Sequence, residues 1–249
     1  MANWTDPRTT AAASPSSVGT RDAAFDAGLR SYMLSVYNYM ASGVLLTGII
    51  ALLFSRGETP AQSIAGQLFM QGGIVPWIVM LAPLGIVMWL SFGINRISET
   101  TAKALFWVYA ALMGASLSTV LLVYTGGSVA QAFFATAAAF AGLSLWGYTT
   151  KKDLSGMGTF LIMGVVGLLV AMVINMFMKS TAMDLAISAI GVLLFAGLTA
   201  YDTQKIKSMY FHVQGTDFMG KSVVMGALTL YLDFINLFLF LLRFIGDRR

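Results

Sequence analysis

The stretch "LTLYLDFINLFLFLL" (residues 228–242) places one carboxylate, Asp233, inside a run of residues that is otherwise suited to hydrocarbon. The apolar run extends over residues 223–242, and a rise of about 1.5 Å per residue puts Asp233 roughly 15 Å from either end of such a helix. An ionised aspartate near mid-membrane costs about 2.5–3.5 kcal/mol even on the most lenient insertion scale. Asp233 therefore requires a compensating partner or a functional reason.

The composition indicates a membrane protein. The 249 residues are 57% hydrophobic and only 10% charged, whereas soluble domains carry about 25% charged residues. Cysteine is absent and His212 is the only histidine, which excludes disulfides, zinc sites of the Cys/His kind and cysteine nucleophiles. We expect no resident cofactor. The basic residues are scattered between apolar runs, so we interpret them as topology signals and expect the lipid bilayer, not nucleic acid, as the partner.

Seven apolar runs reach the roughly 17–25 residues that a spanning helix needs. They cover residues 32–54, 74–93, 102–124, 129–148, 157–178, 182–201 and 223–242. Several connections between them are very short, which forces antiparallel neighbours and one bundle. The sequence thus predicts an all-α polytopic membrane protein with one seven-helix domain, residues 31–249. Residues 1–30 are polar and small, and we expect them to form a disordered cytoplasmic tail.

The basic residues orient the bundle. If the N-terminus is cytoplasmic, the inner segments carry ten Lys and Arg residues and the outer loops carry only Arg56 and Lys179, as the positive-inside rule predicts. The C-terminal Arg243, Arg248 and Arg249 would then lie outside. Either the last helix crosses against the rule or it re-enters and returns, and the sequence leaves both alternatives open. The ten inner residues are Arg8, Arg21, Arg30, Arg96, Lys103, Lys151, Lys152, Lys205, Lys207 and Lys221.

The last apolar run carries one polar stripe. Gly226, Thr229, Asp233 and Asn236 follow each other at helical spacing, so they share one face of a helix that is otherwise Leu, Phe and Val. Such a face must point into the bundle. The pattern predicts a central C-terminal helix whose polar stripe lines a crevice.

Small residues recur at helical spacing in other spans, for example Gly43 with Thr47 and Gly114 with Ser118. Small side chains allow two helix backbones to approach closely, which is a main source of helix association in lipid. We expect these positions to be helix contacts.

A second acid, Asp202, ends the sixth run just before Lys205 and Lys207. The sixth and seventh runs are consecutive, so we expect Asp202 and Asp233 to lie together in the inner half of the bilayer. Two carboxylates that share a poorly solvated site cannot easily both ionise, and one should hold a proton. Carboxylate oxygens also suit Ca²⁺, and the two aspartates with Asn236, carbonyls and water could form a weak site.

Three charged residues have competing interpretations. Asp202 by itself could be a helix-end acid in contact with the nearby lysines. Arg96, at the inner end of the second run, is either a counter-ion to one of the acids or a plain positive-inside arginine. Asp153, in "KKDLSGMG", is typical of an N-cap or turn acid.

Four motifs make the chain recognisable. They are "VYNYMASG" (residues 36–43), "TKKDLSGMG" (150–158), "YDTQKIK" (201–207) and "LYLDFINLFLFLLR" (230–243). In this order, on a chain with seven runs, they resemble the Bax inhibitor-1 family of transmembrane proteins, and the resemblance covers nearly all of residues 25–243.

The resemblance implies a bacterial inner-membrane protein with seven helices, six of which surround the C-terminal one. It also implies a pH-sensitive Ca²⁺ leak, with Asp202 and Asp233 as sensor and gate. The helical stripe described above adds Thr229, Asn236 and Gly226 as residues that line the path. A basic residue at the inner end of the second helix can act as a latch in such proteins, and Arg96 is the candidate here. Bacterial members are further linked to a membrane-bound AAA protease.

The function therefore has several alternatives. The first is a Ca²⁺ leak channel that responds to protons, with Ca²⁺ as the permeant ion. The second is a regulatory protein that binds a membrane protease through its N-terminal tail, and the third is a proton-coupled carrier. We do not expect an enzyme: a serine protease would need Ser and His facing each other, and His212 lies in the predicted loop after the sixth run. An aspartyl protease would need two intramembrane acids, which the chain has, so the sequence does not exclude this one class of enzyme.

Overall fold

The fold is a bundle of helices. The computed structural model describes residues 16–70 and 72–248, and in this part of the chain it contains eight α-helices, a short 3-10 helix and no strand. The α-helices are α1 (Ser16–Ser55), α2 (Ile64–Met70), α3 (Val75–Gly93), α4 (Glu99–Val123), α5 (Gly126–Thr149), α6 (Ser155–Met178), α7 (Thr181–Val213) and α8 (Met219–Ile245). The 3-10 helix, Pro60–Gln62, precedes α2.

Seven helices of the described chain are long and apolar enough to cross a membrane, which confirms the predicted all-α polytopic fold. They are all the α-helices except α2, which has only 7 residues. Hydroxyl side chains fix three of their starts: Ser98, Thr125 and Ser180 accept hydrogen bonds from backbone N–H groups in the first turns of α4, α5 and α7. Such caps satisfy N–H groups that have no partner within the helix.

The last helix is central, as predicted. In its most hydrophobic segment 72% of the α8 residues are buried, against 11% for α6 and 17% for α3. Helix α8 packs against α1, α4, α5 and α7, while α3 packs on α4 and α6 on α7. The six other spans therefore surround α8. Four of them touch it directly, and α3 and α6 lie outside those four.

The prediction of a disordered tail was wrong for residues 16–30, because α1 already begins at Ser16. Phe25 packs against the ring of Tyr210 at a centroid distance of 5.3 Å, and Leu29 is buried. These residues continue an apolar face through Tyr32 and Val36, and helical spacing of apolar residues outweighs a polar average composition. The remaining residues of the predicted tail, 1–15, lie outside the described residues.

Helix α7 is longer than the predicted sixth span. It continues for another twelve residues to Val213, so His212 lies in its last turn and not in a loop. The prediction ended the helix at the first charges. The extension is stabilised by burial of Ile206, Tyr210 and Val213 against the rest of the bundle.

Alternating helix directions give the bundle two faces. The face that carries the starts of α1, α4, α6 and α8 is called the N-terminal face, and the face that carries the end of α8 is called the C-terminal face. On the latter, the backbone N–H of Asp247 donates to Ser128 Oγ at 2.9 Å, beside the α4–α5 connection. Arg243 and Arg248 each lie 3.7 Å from Asp184 at the start of α7. The chain therefore crosses through α8 and ends on the C-terminal face; within the described residues it does not re-enter.

Small residues bring the helices together as predicted. A Cβ atom added to Gly114 of α4 would lie 2.7 Å from the carbonyl oxygen of Thr47 on α1, and one added to Gly43 would lie 2.6 Å from the ring of Phe106. These distances leave no room for a side chain at either position. The contact between α1 and α4 depends on this close approach.

Candidate aspartate-pair site

The two predicted acids meet where α7 and α8 pack against each other. Asp202 and Asp233 are 8% and 4% exposed, and their carboxyl groups lie close enough to interact directly. Asp233 lies 14 residues after the start of α8 at Met219 and 12 before its end at Ile245, which corresponds to roughly 20 Å of helix on each side. The structure thus brings together two acids from separate helices in the interior of the bundle.

In the part of the chain that the structure describes, no buried cation compensates this pair. The ion pairs among the described residues involve Glu99 and Asp184, and none reaches Asp202 or Asp233. Lys205, three residues further along α7, is the cation whose charge acts on Asp202. The Oδ2 atom of Asp233 is buried without a hydrogen-bond partner in the described chain. The two carboxyl groups are therefore each other's principal polar partners.

The structure places the residues of the predicted polar stripe on α8 in different surroundings. Thr229 and Asn236 lie half-buried next to Asp233, and each is satisfied within its own helix: the Thr229 hydroxyl donates to the Met225 carbonyl at 3.0 Å, and the Asn236 amide donates to the Leu232 carbonyl at 2.8 Å. They can line a crevice beside the pair without needing other partners.

Gly226 was predicted to line the same path, and the structure places it in a packed helix contact. A Cβ atom there would lie 3.2 Å from Ile206 and 3.4 Å from Val36. The position is a tight contact of α8 with α7 and α1. Gly226 and Asp233 are two turns apart and stay on the same face of α8, so that face is closely packed at Gly226.

The sequence matches a protein family described as "Inhibitor of apoptosis-promoting Bax1" over residues 29–249. The chain belongs to the Bax inhibitor-1 family. Among its relatives, a Rickettsia prowazekii protein, RP147, is 48% identical over 231 residues, covering 92% of this chain and 95% of that protein. A Caulobacter vibrioides protein is 48% identical over 236 residues, covering 92% and 93%. The inner membrane protein YbhL of Escherichia coli K12 is 43% identical over 226 residues, covering 90% and 94%.

The basic latch that the resemblance to the Bax inhibitor-1 family implies is not formed in this structure. Arg96 lies exposed in the turn between α3 and α4, where its backbone N–H donates to the Gly93 carbonyl. Within the described residues it makes no ion pair with either aspartate. Helix α3 packs on α4 at the outside of the bundle, so the end of α3 does not bring Arg96 to the central pair.

Asp202 and Asp233, the predicted Ca²⁺ ligands, have no third acidic, His or Cys ligand beside them among the described residues. No group of three or more His, Cys, Asp or Glu side chains that could hold a metal ion occurs in the part of the chain that the structure describes. Ca²⁺ usually takes six to eight oxygen ligands. Any cation at Asp202 and Asp233 would therefore keep most of its coordination to water, carbonyls and Asn236.

Sequence reasoning missed a hydroxyl chain beside Asp202. The Tyr37 and Ser144 hydroxyls pair at 2.6 Å, and Ser144 pairs in turn with Thr203 at 2.8 Å. Thr203 donates to the Thr199 carbonyl at 2.7 Å. The sequence feature that could have indicated this chain is Thr203, which follows Asp202 in the "YDTQ" motif. The chain joins α1, α5 and α7 at the level of the aspartate pair.

A cavity of about 310 Å³ opens on the N-terminal face between the α5–α6 connection and α7. The amide of Gln204 forms one wall by accepting from the Leu154 N–H and donating to the Lys152 carbonyl, both at 2.8 Å. Asp153, the predicted N-cap or turn acid, is a turn acid: it accepts from the Ser155 N–H at 2.9 Å. Hydrogen bonds from Ser155 lower the pKa of Asp153. The cavity also has Lys151, Lys152 and Lys205 along its rim.

Proposed function

We propose that this Bax inhibitor-1 family protein is a pH-sensitive Ca²⁺ leak channel in which Asp202 and Asp233 form the gate. The observation that carries the proposal is the close approach of two buried carboxyl groups at the junction of α7 and α8, with no buried cation beside them among the residues that the structure describes. A membrane-embedded acid that lacks an ion-pair partner is costly to maintain and usually belongs to an ion or proton path.

The proposed gate works through one proton. With a proton shared, one carboxyl donates to the other and the contact between α7 and α8 is attractive. When the proton leaves, two like charges face each other in a poorly solvated site, and the contact becomes repulsive. The protonation state thus biases the packing of the central helix. Ca²⁺ is the cargo, and the two carboxylates with Thr229 and Asn236 offer it oxygen atoms along the crevice.

The test is Ca²⁺ flux into proteoliposomes over a pH series, with wild type, Asp202→Asn and Asp233→Asn. An asparagine amide donates to the remaining carboxylate at every pH. Each variant should therefore lose the pH response and show, at every pH, the Ca²⁺ flux that wild type has at the acidic end of the series. Asp217→Asn is the matched control, because Asp217 is exposed in the α7–α8 connection, and it should behave as wild type. Unchanged pH responses in both gate variants would refute the proposal.

A proton-coupled carrier is the second candidate. It is favoured by the small number of acidic ligands, since two carboxyl groups suffice to carry a proton but supply only part of a Ca²⁺ shell. A pH-sensitive dye inside the same vesicles separates the two functions. Proton movement that depends on Asp233 and proceeds without Ca²⁺ would favour the carrier over the channel.

The location and the partner are further parts of the proposal. We place the protein in the bacterial inner membrane with the N-terminal face in the cytoplasm; this is supported by the basic residues on that face and by the relative named as an inner membrane protein. Binding to a membrane-bound AAA protease through the N-terminal tail is tested by deleting residues 1–15, which leaves helix α1 intact. A pull-down that is lost on deletion, with Ca²⁺ flux retained, would support this role.

A further inference from the structure

We infer that the groove between α1 and α5 binds one phospholipid with an anionic headgroup at the N-terminal face. Both helices pack on α8, and between them they leave a groove of about 720 Å³. Phe234 of α8 forms its floor, and its walls are almost entirely apolar. The wall residues include Met33, Met40 and Val44 from α1 and Phe133, Ala137 and Phe140 from α5.

The few polar groups in the wall do not compete for an acyl chain. The hydroxyls of Tyr37 and Ser144 face the groove, but they are bonded to each other at 2.6 Å, and Ser144 is also bonded to Thr203. A polar group that already has its hydrogen bonds tolerates contact with hydrocarbon at little cost. The groove therefore presents a surface that is apolar in effect.

The length of the groove fits one leaflet. Its lining on α1 runs from Arg30 at the mouth to Leu45, and the part below Arg30, from Met33 to Leu45, is about 18 Å of helix at 1.5 Å per residue. Half of a hydrocarbon core of about 30 Å is roughly 15 Å. A chain that starts at the N-terminal face therefore ends near the middle of the bilayer.

The mouth of the groove supplies positive charge. A second cavity, of about 1110 Å³, adjoins the groove and shares Arg30, Leu34 and Tyr148 with it. Arg30 is exposed there, and Lys207 stands beside it with its Nζ donating to the Tyr148 carbonyl at 2.7 Å. Asp26 also lines this mouth, so two cations face one anion. The excess charge matches a phosphate, and basic pockets between membrane helices are known to hold anionic headgroups.

The test uses native mass spectrometry of the delipidated full chain in detergent, titrated with dioleoyl phosphatidylglycerol or dioleoyl phosphatidylcholine. Wild type should retain one phosphatidylglycerol in preference to phosphatidylcholine. Arg30→Gln should weaken phosphatidylglycerol binding roughly fivefold, as expected for one basic side chain near an anionic headgroup, whereas Arg56→Gln at the other end of α1 should not. Equal binding of the two lipids by wild type would overturn the inference.

A second pair of variants tests the groove itself. Ala137→Trp fills the groove and should abolish binding of both lipids, while Ala138→Trp places the same side chain on the exposed, groove-free side of α5. Thermal melting in detergent checks that both variants fold. If a folded Ala137→Trp protein binds phosphatidylglycerol as well as Ala138→Trp does, the groove is not the site. The Ca²⁺ leak is independent of this result.

Discussion

Tyr231 of the central helix donates its hydroxyl hydrogen bond to Thr47 of α1, at 2.6 Å. The direction follows from the second bond of Thr47, whose own hydroxyl donates to the Ala110 carbonyl of α4 at 2.8 Å. Both Tyr231 and Thr47 are buried. The relay thus connects α8, α1 and α4 through one continuous set of hydrogen bonds inside the apolar core.

Tyr231→Phe should lower the stability of the protein by about 0.5–1.5 kcal/mol, the usual net value of a buried hydrogen bond. Thr47 keeps its bond to Ala110, so no donor is left unpaired. Thermal unfolding in detergent measures the effect, which corresponds to a few degrees for a domain of this size. A melting temperature equal to that of wild type would show that the relay contributes nothing.

Tyr109→Phe should have the opposite sign. The Tyr109 ring packs edge-on against Tyr231 at 5.3 Å, but its buried hydroxyl has no hydrogen-bond partner among the described residues. Removing an unsatisfied buried hydroxyl while keeping the ring should leave stability unchanged or raise it by about 1 kcal/mol. The same melting experiment compares the two variants. A loss as large as that of Tyr231→Phe would indicate a partner for this hydroxyl.

Gly147→Ala should destabilise the protein. A Cβ atom at Gly147 of α5 would collide with the backbone of Ala200 on α7, and overpacking of this kind typically costs about 1–3 kcal/mol. Gly142→Ala on the same helix is the control, because nothing lies within 4 Å of a Cβ atom there. Alanine favours helix by about 1 kcal/mol over glycine, so the control should melt at or above the wild-type temperature. Equal melting of both variants would refute the close contact.

The two faces of the bundle can be tested by single-cysteine labelling, since the natural chain has no cysteine. Asp217→Cys and Lys151→Cys lie on the N-terminal face, and Gly127→Cys and Asp247→Cys lie on the C-terminal face. A membrane-impermeant maleimide applied to intact cells should label only one of the two sets. With the positive-inside orientation the labelled set is the C-terminal face. Labelling of Asp217→Cys together with Asp247→Cys would mean that α8 does not cross.

Much of the candidate site was visible in the primary structure, but only as separate parts. Asp233 attracted attention because it stands in an apolar run, and Asp202 because it ends the preceding one. Their neighbourhood was predicted from the order of the helices and then found in the structure. Arg96 could not be placed in the same way, because its position depends on where α3 packs, and α3 lies outside the four helices that touch α8.

Gly226 and the start of α1 show the same limit. Helical spacing assigned Gly226 to the face of Asp233, but only the neighbours Ile206 and Val36 show that this part of the face is packed against α7 and α1. The average composition of residues 16–30 is polar, yet Phe25 packs on Tyr210 of α7 and Leu29 is buried. In both cases the deciding contact comes from a residue far away in the chain.

The sequence by itself determined the membrane class, the seven spans and the presence of two acids within them, because the cost of placing each residue in hydrocarbon is a local property of its segment. The tertiary structure alone decided which polar atoms meet: the contact of Asp202 with Asp233, the exposure of Arg96, the relay from Tyr231 and the groove between α1 and α5. Those features depend on the rotation and spacing of whole helices. In lipid these are set by close packing and interhelical hydrogen bonds, which no single segment specifies.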